Sequence, residues 1–188
     1  WISIKTSLLA TFITFFIGIG AAYLVANYKG RWRGLIDSLF TLPLVLPPTV
    51  LGFFLLLLFG KNGPMGKILL IMNKSVIFTW SATVIAAVVV SFPMMYRSAR
   101  SAFEQIDDNL ISAAKTLGLS EWKIFYKIAI PLAWPGIIGG VVLSFARALG
   151  EFGATLMIAG NIPGKTQTMP LAIFFKVQSM DYKGAMLW

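Results

Sequence analysis

Cysteine and histidine are both absent from the 188 residues. Their absence excludes a thiol nucleophile, a disulfide frame and the usual zinc ligands. Charge is scarce too: 12% of residues are charged, and 7 Asp and Glu stand against 16 Lys and Arg. Most of these carboxylates lie in connections between apolar runs. They leave no nucleophile beside a base and no spaced set of metal ligands, so the chain carries no enzyme constellation and no cofactor of its own. The net charge of +9 would suit nucleic acid, but the basic residues are scattered among loops and form no single basic face. That distribution points to a lipid bilayer and an anionic solute as partners, with no nucleic acid.

Apolar sequence is plentiful. Hydrophobic residues make up 57% and the mean hydropathy is +0.80, far from a soluble domain. Uncharged runs from Thr6 to Tyr28, Ser38 to Gly60 and Ser75 to Tyr96 are each long enough to cross a hydrocarbon layer of about 30 Å. A fourth begins near Ile128 and continues past Arg147 and Glu151. The runs are continuous and do not alternate, so the fold class is all-α, a polytopic helical membrane protein. The expected layout is one transmembrane domain over 1–188 with spans near 3–27, 37–60, 75–99 and 131–158. A loop at 104–130 and an outer segment at 160–183 complete it, with a last apolar run opening at Gly184 and read as a span cut short. Arg31, Arg33, Arg97 and Arg100 fall on one side of this layout, marking it as the inner side, while Lys and Arg taken together divide almost evenly between the two sides.

Three stretches inside the apolar runs stand out. The second run contains LPLVLPPTVLG, where Pro43, Pro47 and Pro48 delete backbone donors, so a broken or kinked helix is expected. Pro47, Pro48 and Thr49 are therefore candidates for the wall of a solute pathway, against a plain packing kink. In the fourth run Gly136 and Gly140 give a Gly-x-x-x-Gly spacing suited to close helix packing. Further on, Arg147 and Glu151 lie one helical turn apart in apolar surroundings. They read either as an internal ion pair or as a pair that handles a passing anion. Two Gly-rich stretches, Gly60 to Lys67 and Gly160 to Thr166, miss the spacing of a phosphate-binding loop.

The polar island SAAKTLGLSEWKIFYKIAIP, Ser112 to Pro131, separates two apolar runs. Leu110, Ala113, Ala114 and Leu117 recur at i, i+3, i+4 and i+7, one narrow stripe on a short helix. Asp107 or Asp108 supplies its cap and Gly118 its stop. Two alanines in the stripe make a shallow face that another protein could approach closely. A second short helix is expected from about Ser120, carrying Trp122, Phe125 and Ile128 towards Pro131. On periodicity alone, a cytoplasmic loop with an amphipathic helix explains the stretch equally well.

Ala113, Ala114, Gly118, Ile128 and Pro131 resemble the EAA loop of the permease subunits of type I ABC importers. The resemblance implies that Leu110, Ser112, Ala113, Ala114, Leu117, Gly118 and Pro131 couple the chain to an ATPase. Ser112 stands where that family usually has Glu, so the docking role carries over but a salt bridge from this position does not. LPLVLPPTVLG, RALGEFGATLM and GNIPGKTQTMPLAI are similar to the molybdate permeases, with sulfate/thiosulfate permeases as near relatives. What this implies is a homodimer in the cell membrane, with two ABC ATPase subunits that hold ATP and Mg. An extracellular or periplasmic oxyanion-binding protein would deliver the cargo by docking over the outer segment, and alternating access would move it. A secondary anion transporter, a channel or a membrane scaffold are the competing classes. The spans show neither an inverted repeat nor a titratable relay in support of the first two.

Overall fold

A computed structural model describes all of residues 1–188, and every regular element in it is helical. Helix α1 (Ile2–Asn27) buries Ser3, Thr6, Ser7, Ala10, Thr11, Thr14 and Gly18 and exposes Leu8, Phe12, Phe16 and Leu24. Small and hydroxyl side chains thus face protein while large apolar ones face outward, as expected where lipid tails are as apolar as leucine. A Cβ on Gly18 would lie 2.8 Å from Met95 Cγ, a measure of how closely α1 approaches α5 (Trp80–Glu104). Thr6 and Thr83 hydroxyls meet at 3.3 Å, and the Trp80 indole N–H donates to Thr6 Oγ1 at 2.9 Å.

Helix α5 is the axis of the fold. It packs lengthwise against α1 on one side and against α7 (Glu121–Leu149) on the other. Met95, Tyr96, Ala99 and Phe103 from α5 form one core with Ala22, Val25 and Ile137. A second core lies at the other end, where Ala82, Ala86 and Val90 meet Leu51 and Leu55 of α3 (Pro48–Phe59) and Ala154 and Ile158 of α8 (Gly153–Ala159).

The second span breaks where the prolines demand it. Helix α2 (Arg33–Val45) and α3 meet at 112°. Leu46 (ψ 138°) and Pro47 (ψ 137°) are extended, as residues preceding proline tend to be, and Pro48 then opens α3 at a position that needs no N–H. Pro43, Pro93 and Pro135 sit inside α2, α5 and α7 without ending them. The connection between the second and third runs carries a helix of its own, α4 (Pro64–Ile71). A Cβ on Gly66 would come within 1.7 Å of Gly60 O, so this glycine is a packing contact between turns of the connection.

Two of the long helices lie elsewhere along the chain than the sequence reading placed them. The helix of the fourth run covers Glu121–Leu149 and not 131–158, and it absorbs the short helix expected from Ser120. Continuity across that join comes from a π-helical turn, Phe125–Ala129, closed by the Ile130 N–H onto Phe125 O. The stop at Gly150 follows because Glu151 turns its carboxylate back onto the N–H of Ala154 and begins α8 as a separate helix. The helix of the third run is Trp80–Glu104, shifted along the chain from the expected 75–99 because the residues up to Thr79 form turns. Helices α1, α5 and α7 are each long and apolar enough to cross a membrane, and the bent α2–α3 pair is a fourth candidate. Helices α9 (Met169–Gln178) and α10 (Tyr182–Met186) complete the chain, with Met169 N–H donating to Ser3 Oγ at 2.6 Å.

Candidate functional site

The polar island folds into α6 (Asp108–Thr116), and its ends have physical causes. Asp107 Oδ1 accepts the Asn109 N–H at 2.9 Å, satisfying a donor that the first turn leaves free. At the other end Gly118 adopts φ 77°, a left-handed conformation that glycine takes at least cost, and the Leu119 N–H returns to Ala114 O at 3.1 Å. Within the stripe the residues divide. Ala114 is buried against the body of the chain, while Leu110, Ala113, Leu117 and Ser112 are exposed, Leu117 to 81%. An apolar residue so exposed beside an exposed alanine is a face without a partner inside this chain.

The base of α6 is anchored. Lys115 Nζ lies 2.8 Å from Glu121 Oε1, and that hydrogen bond holds the lysine pKa above its ordinary value. Ile124 is fully buried, and the Phe125 ring lies 4.5 Å from Tyr23, which also meets Phe103 at 5.4 Å. Gln105 and Ile106 join the end of α5 to the cap of α6, so the short helix hangs from the central one by a minimal connection. Pro131 is set apart from Leu110, Ser112, Ala113, Ala114, Leu117 and Gly118. It lines a groove with Phe15, Phe16 and Trp134 on the α1 side of α7. Beside α6, an open cavity of about 790 Å³ runs from Asp107 and Leu110 past Arg97 and Ser101 to Gly139 and Leu143.

The pathway candidates meet at a second place. Pro47, Pro48 and Thr49 are exposed at the break of the second span. A Cβ on Gly153 would lie 3.0 Å from Pro48 Cβ and 3.1 Å from Thr49 N, so the break after Leu46 and the break after Leu149 are packed together. Gly52 continues the contact, with a Cβ there only 2.8 Å from Ala154 Cα. Next to this crossing, Arg147 Nη1 donates to Glu151 Oε2 at 2.8 Å and the Ala154 N–H donates to Oε1 at 2.7 Å. Glu151 is 2% exposed, and each of its oxygens already has a partner from its own chain. That arrangement fits a structural ion pair: a carboxylate at this depth needs both a counter-charge and a hydrogen bond. Arg147, by contrast, is partly exposed.

One group of residues escaped the sequence reading. Arg33 pairs with Glu104, and Arg100 with both Asp37 and Glu104, its Nε donating to Glu104 Oε1 at 2.8 Å. The Tyr96 hydroxyl donates to Asp37 Oδ1 at 2.9 Å. The signal was present in the spacing, since Arg33 and Asp37 lie at i and i+4 on α2 and Tyr96, Arg100 and Glu104 at successive i+4 steps on α5. Nothing in the sequence alone paired the two rows.

Residues 15–187 match the family described as binding-protein-dependent transport system inner membrane component. The chain is 45% identical over 188 residues (100% of this chain, 83% of the relative) to YvgM of Bacillus subtilis (strain 168), named for a molybdenum transport system. It is 44% identical over 179 residues (95% and 78%) to the molybdenum transport system permease protein ModB of Escherichia coli (strain K12). To the sulfate transport system permease protein CysT of the same organism it is 37% identical over 185 residues (96% and 67%). Among solved structures, an inward-facing MetNI methionine ABC transporter superposes with a TM-score of 0.74. The alignment covers 100% of this chain and 84% of that one at 14% identity, a likeness of fold.

Proposed function

The chain belongs to the binding-protein-dependent transport system inner membrane component family, and on that premise we propose that it is the permease through which an ATP-driven importer moves molybdate into the cell. The observation that carries this reading is the identity with permeases named for molybdenum transport, which runs along nearly the whole chain. The fold is that of a type I ABC importer transmembrane domain, a class whose members are transport subunits and not enzymes. In our reading the chain sits in the inner membrane as a homodimer, and each copy presents α6 to one of two ATPase subunits. The ATP and Mg belong to those subunits, and a binding protein outside the membrane delivers the oxyanion.

The exposed faces of α6 support the coupling role. Leu110, Ala113 and Leu117 lie open to solvent on a helix capped at both ends, so their burial awaits another surface. When ATP draws the ATPase pair together, α6 moves with it and the spans exchange inward-open for outward-open. The partner does work only through contacts that differ between the two states. In this mechanism the prolines at the second-span break and the partly exposed Arg147 lie along the solute's route, and Glu151 holds Arg147 in place.

Reconstitution of the chain with its ATPase and binding protein in liposomes tests the reading. ATP-dependent accumulation of labelled molybdate is expected, with tungstate competing. Accumulation that proceeds without nucleotide would overturn the importer reading in favour of a channel or secondary transporter. The 37% identity with a sulfate permease favours sulfate as the second reading, and uptake of sulfate in preference to molybdate under the same conditions would establish it.

A further inference from the structure

Helix α2, the inner half of the broken span, has no core of its own, for none of its residues is buried. What joins it to the central helix is a ladder of side chains running antiparallel along two faces. The Phe40 ring lies 5.4 Å from Phe92 and 5.2 Å from Tyr96. One turn further in, Asp37 accepts from the Tyr96 hydroxyl at 2.9 Å and pairs with Arg100. At the last step Arg33 pairs with Glu104, whose Oε1 also accepts from Arg100 Nε at 2.8 Å. Glu104 is therefore shared by two guanidinium groups, one on each helix. It is also the final residue of α5, separated from the cap of α6 only by Gln105 and Ile106.

We propose that Glu104 is a positioning residue for transport, clamping α2 to the root of α6 together with Arg33, Asp37 and Arg100, so that displacement of α6 is delivered to the broken span. The inference rests on the reading of α6 as the surface that an ATPase moves. Two features make the clamp suited to transmission. A guanidinium–carboxylate contact is directional and planar, so it fixes orientation as well as distance. The charged groups of the ladder are also partly exposed, Glu104 to 38% and Arg100 to 20%, so solvent screens them and they add little to folding. Loss of the clamp then leaves the protein folded but lets α2 lag behind α5 when the motor closes.

The experiment uses the complete importer in liposomes, measuring ATP hydrolysis and molybdate uptake side by side. Glu104→Gln is expected to cut uptake about tenfold while hydrolysis stays within about twofold, a loss of coupling and not of assembly. Glu104→Asp should recover part of the uptake, and Asp37→Asn, which leaves both contacts of Glu104 in place, should show the same split to a smaller extent. The chain has no native cysteine, so Arg33→Cys with Glu104→Cys gives a unique pair for a bifunctional methanethiosulfonate reagent. Uptake, low in the unlinked double variant, should return on linking and fall again on reduction. Hydrolysis and uptake that decline together in Glu104→Gln, uptake that is unchanged, or a link that fails to restore it would each overturn the clamp. The parent reading fails separately, by uptake without nucleotide in the unaltered complex.

Discussion

Helices α6 and α8 begin alike and end up in opposite surroundings. Each opens on a carboxylate that accepts a backbone N–H within its first turn, Asp107 from Asn109 and Glu151 from Ala154. Both are too short to be stable in isolation. Helix α8 is held by its neighbours, with Ala154, Thr155, Ile158 and Ala159 all buried and Gly153 pressed against Pro48. Helix α6 buries only Ala114 and relies on its caps. A short helix inside the bundle takes its order from packing, whereas one at the surface that leaves leucines open takes it from its ends.

That contrast is most severely tested at Glu151. Glu151→Ala would leave Arg147 without its counter-charge and the Ala154 N–H without its acceptor. We expect a loss of about 3–5 kcal/mol, the range for breaking a buried pair, read by thermal unfolding of the purified protein in detergent. A variant that keeps its stability and loses only transport would move the pair from structure to solute handling. Next in size is Gly52→Ala, whose methyl would meet Ala154 Cα at 2.8 Å and Met157 Cβ at 2.7 Å. Overpacking of this kind costs about 1–3 kcal/mol, and the same unfolding measurement checks it.

On the other side of the comparison the expected effects on folding shrink. Asp107→Ala removes the cap and should cost about 1 kcal/mol, confined to α6 and visible as faster hydrogen exchange of its first-turn amides. Leu117→Ser, at an exposed position, should leave global stability within about 0.5 kcal/mol while ATP-dependent uptake is lost. A loss of global stability from either as large as that expected of Glu151→Ala would erase the distinction between the two helices. The pH response of α6 follows from Lys115, whose pKa Glu121 holds above the ordinary value. A raised pKa contributes fully below the unfolded value and is lost as pH rises through the folded one. Exchange in the last turn should therefore be insensitive to pH near neutrality, once corrected for intrinsic rates, and increase only in strongly alkaline solution.

Much of this arrangement was legible before any coordinates. Proline fixes its own φ and restricts the residue before it, so the break at Leu46–Pro47 was written in local chemistry, as was the stop at Gly118. Hydrophobic run length located the long apolar helices but not their ends. The end at Leu149 was hidden because Gly-Glu-Phe-Gly inside an apolar run also reads as helix, until Glu151 is seen to spend its carboxylate on Ala154. The stripe on α6 was legible as a period of apolar residues, but which member turns inward depends on the body it leans against. The ladder from Arg33 to Glu104 was half written, as two rows of correct spacing whose meeting is a tertiary fact. The π turn left no sequence signal, since an extra residue in a helix changes no local preference.

That turn has a consequence for how the fourth span is phased. Through Phe125–Ala129 the helix carries one residue more than an α-helical ladder would hold. The side chains before and after it, Trp122 outside and Leu132 beyond, are therefore rotated relative to one another by roughly the angle of a single α-helical step, about 100°. Migration of the surplus residue along the helix would swivel one end against the other while backbone hydrogen bonding is largely kept. A rod that crosses the bilayer can in this way change which neighbours it addresses without bending.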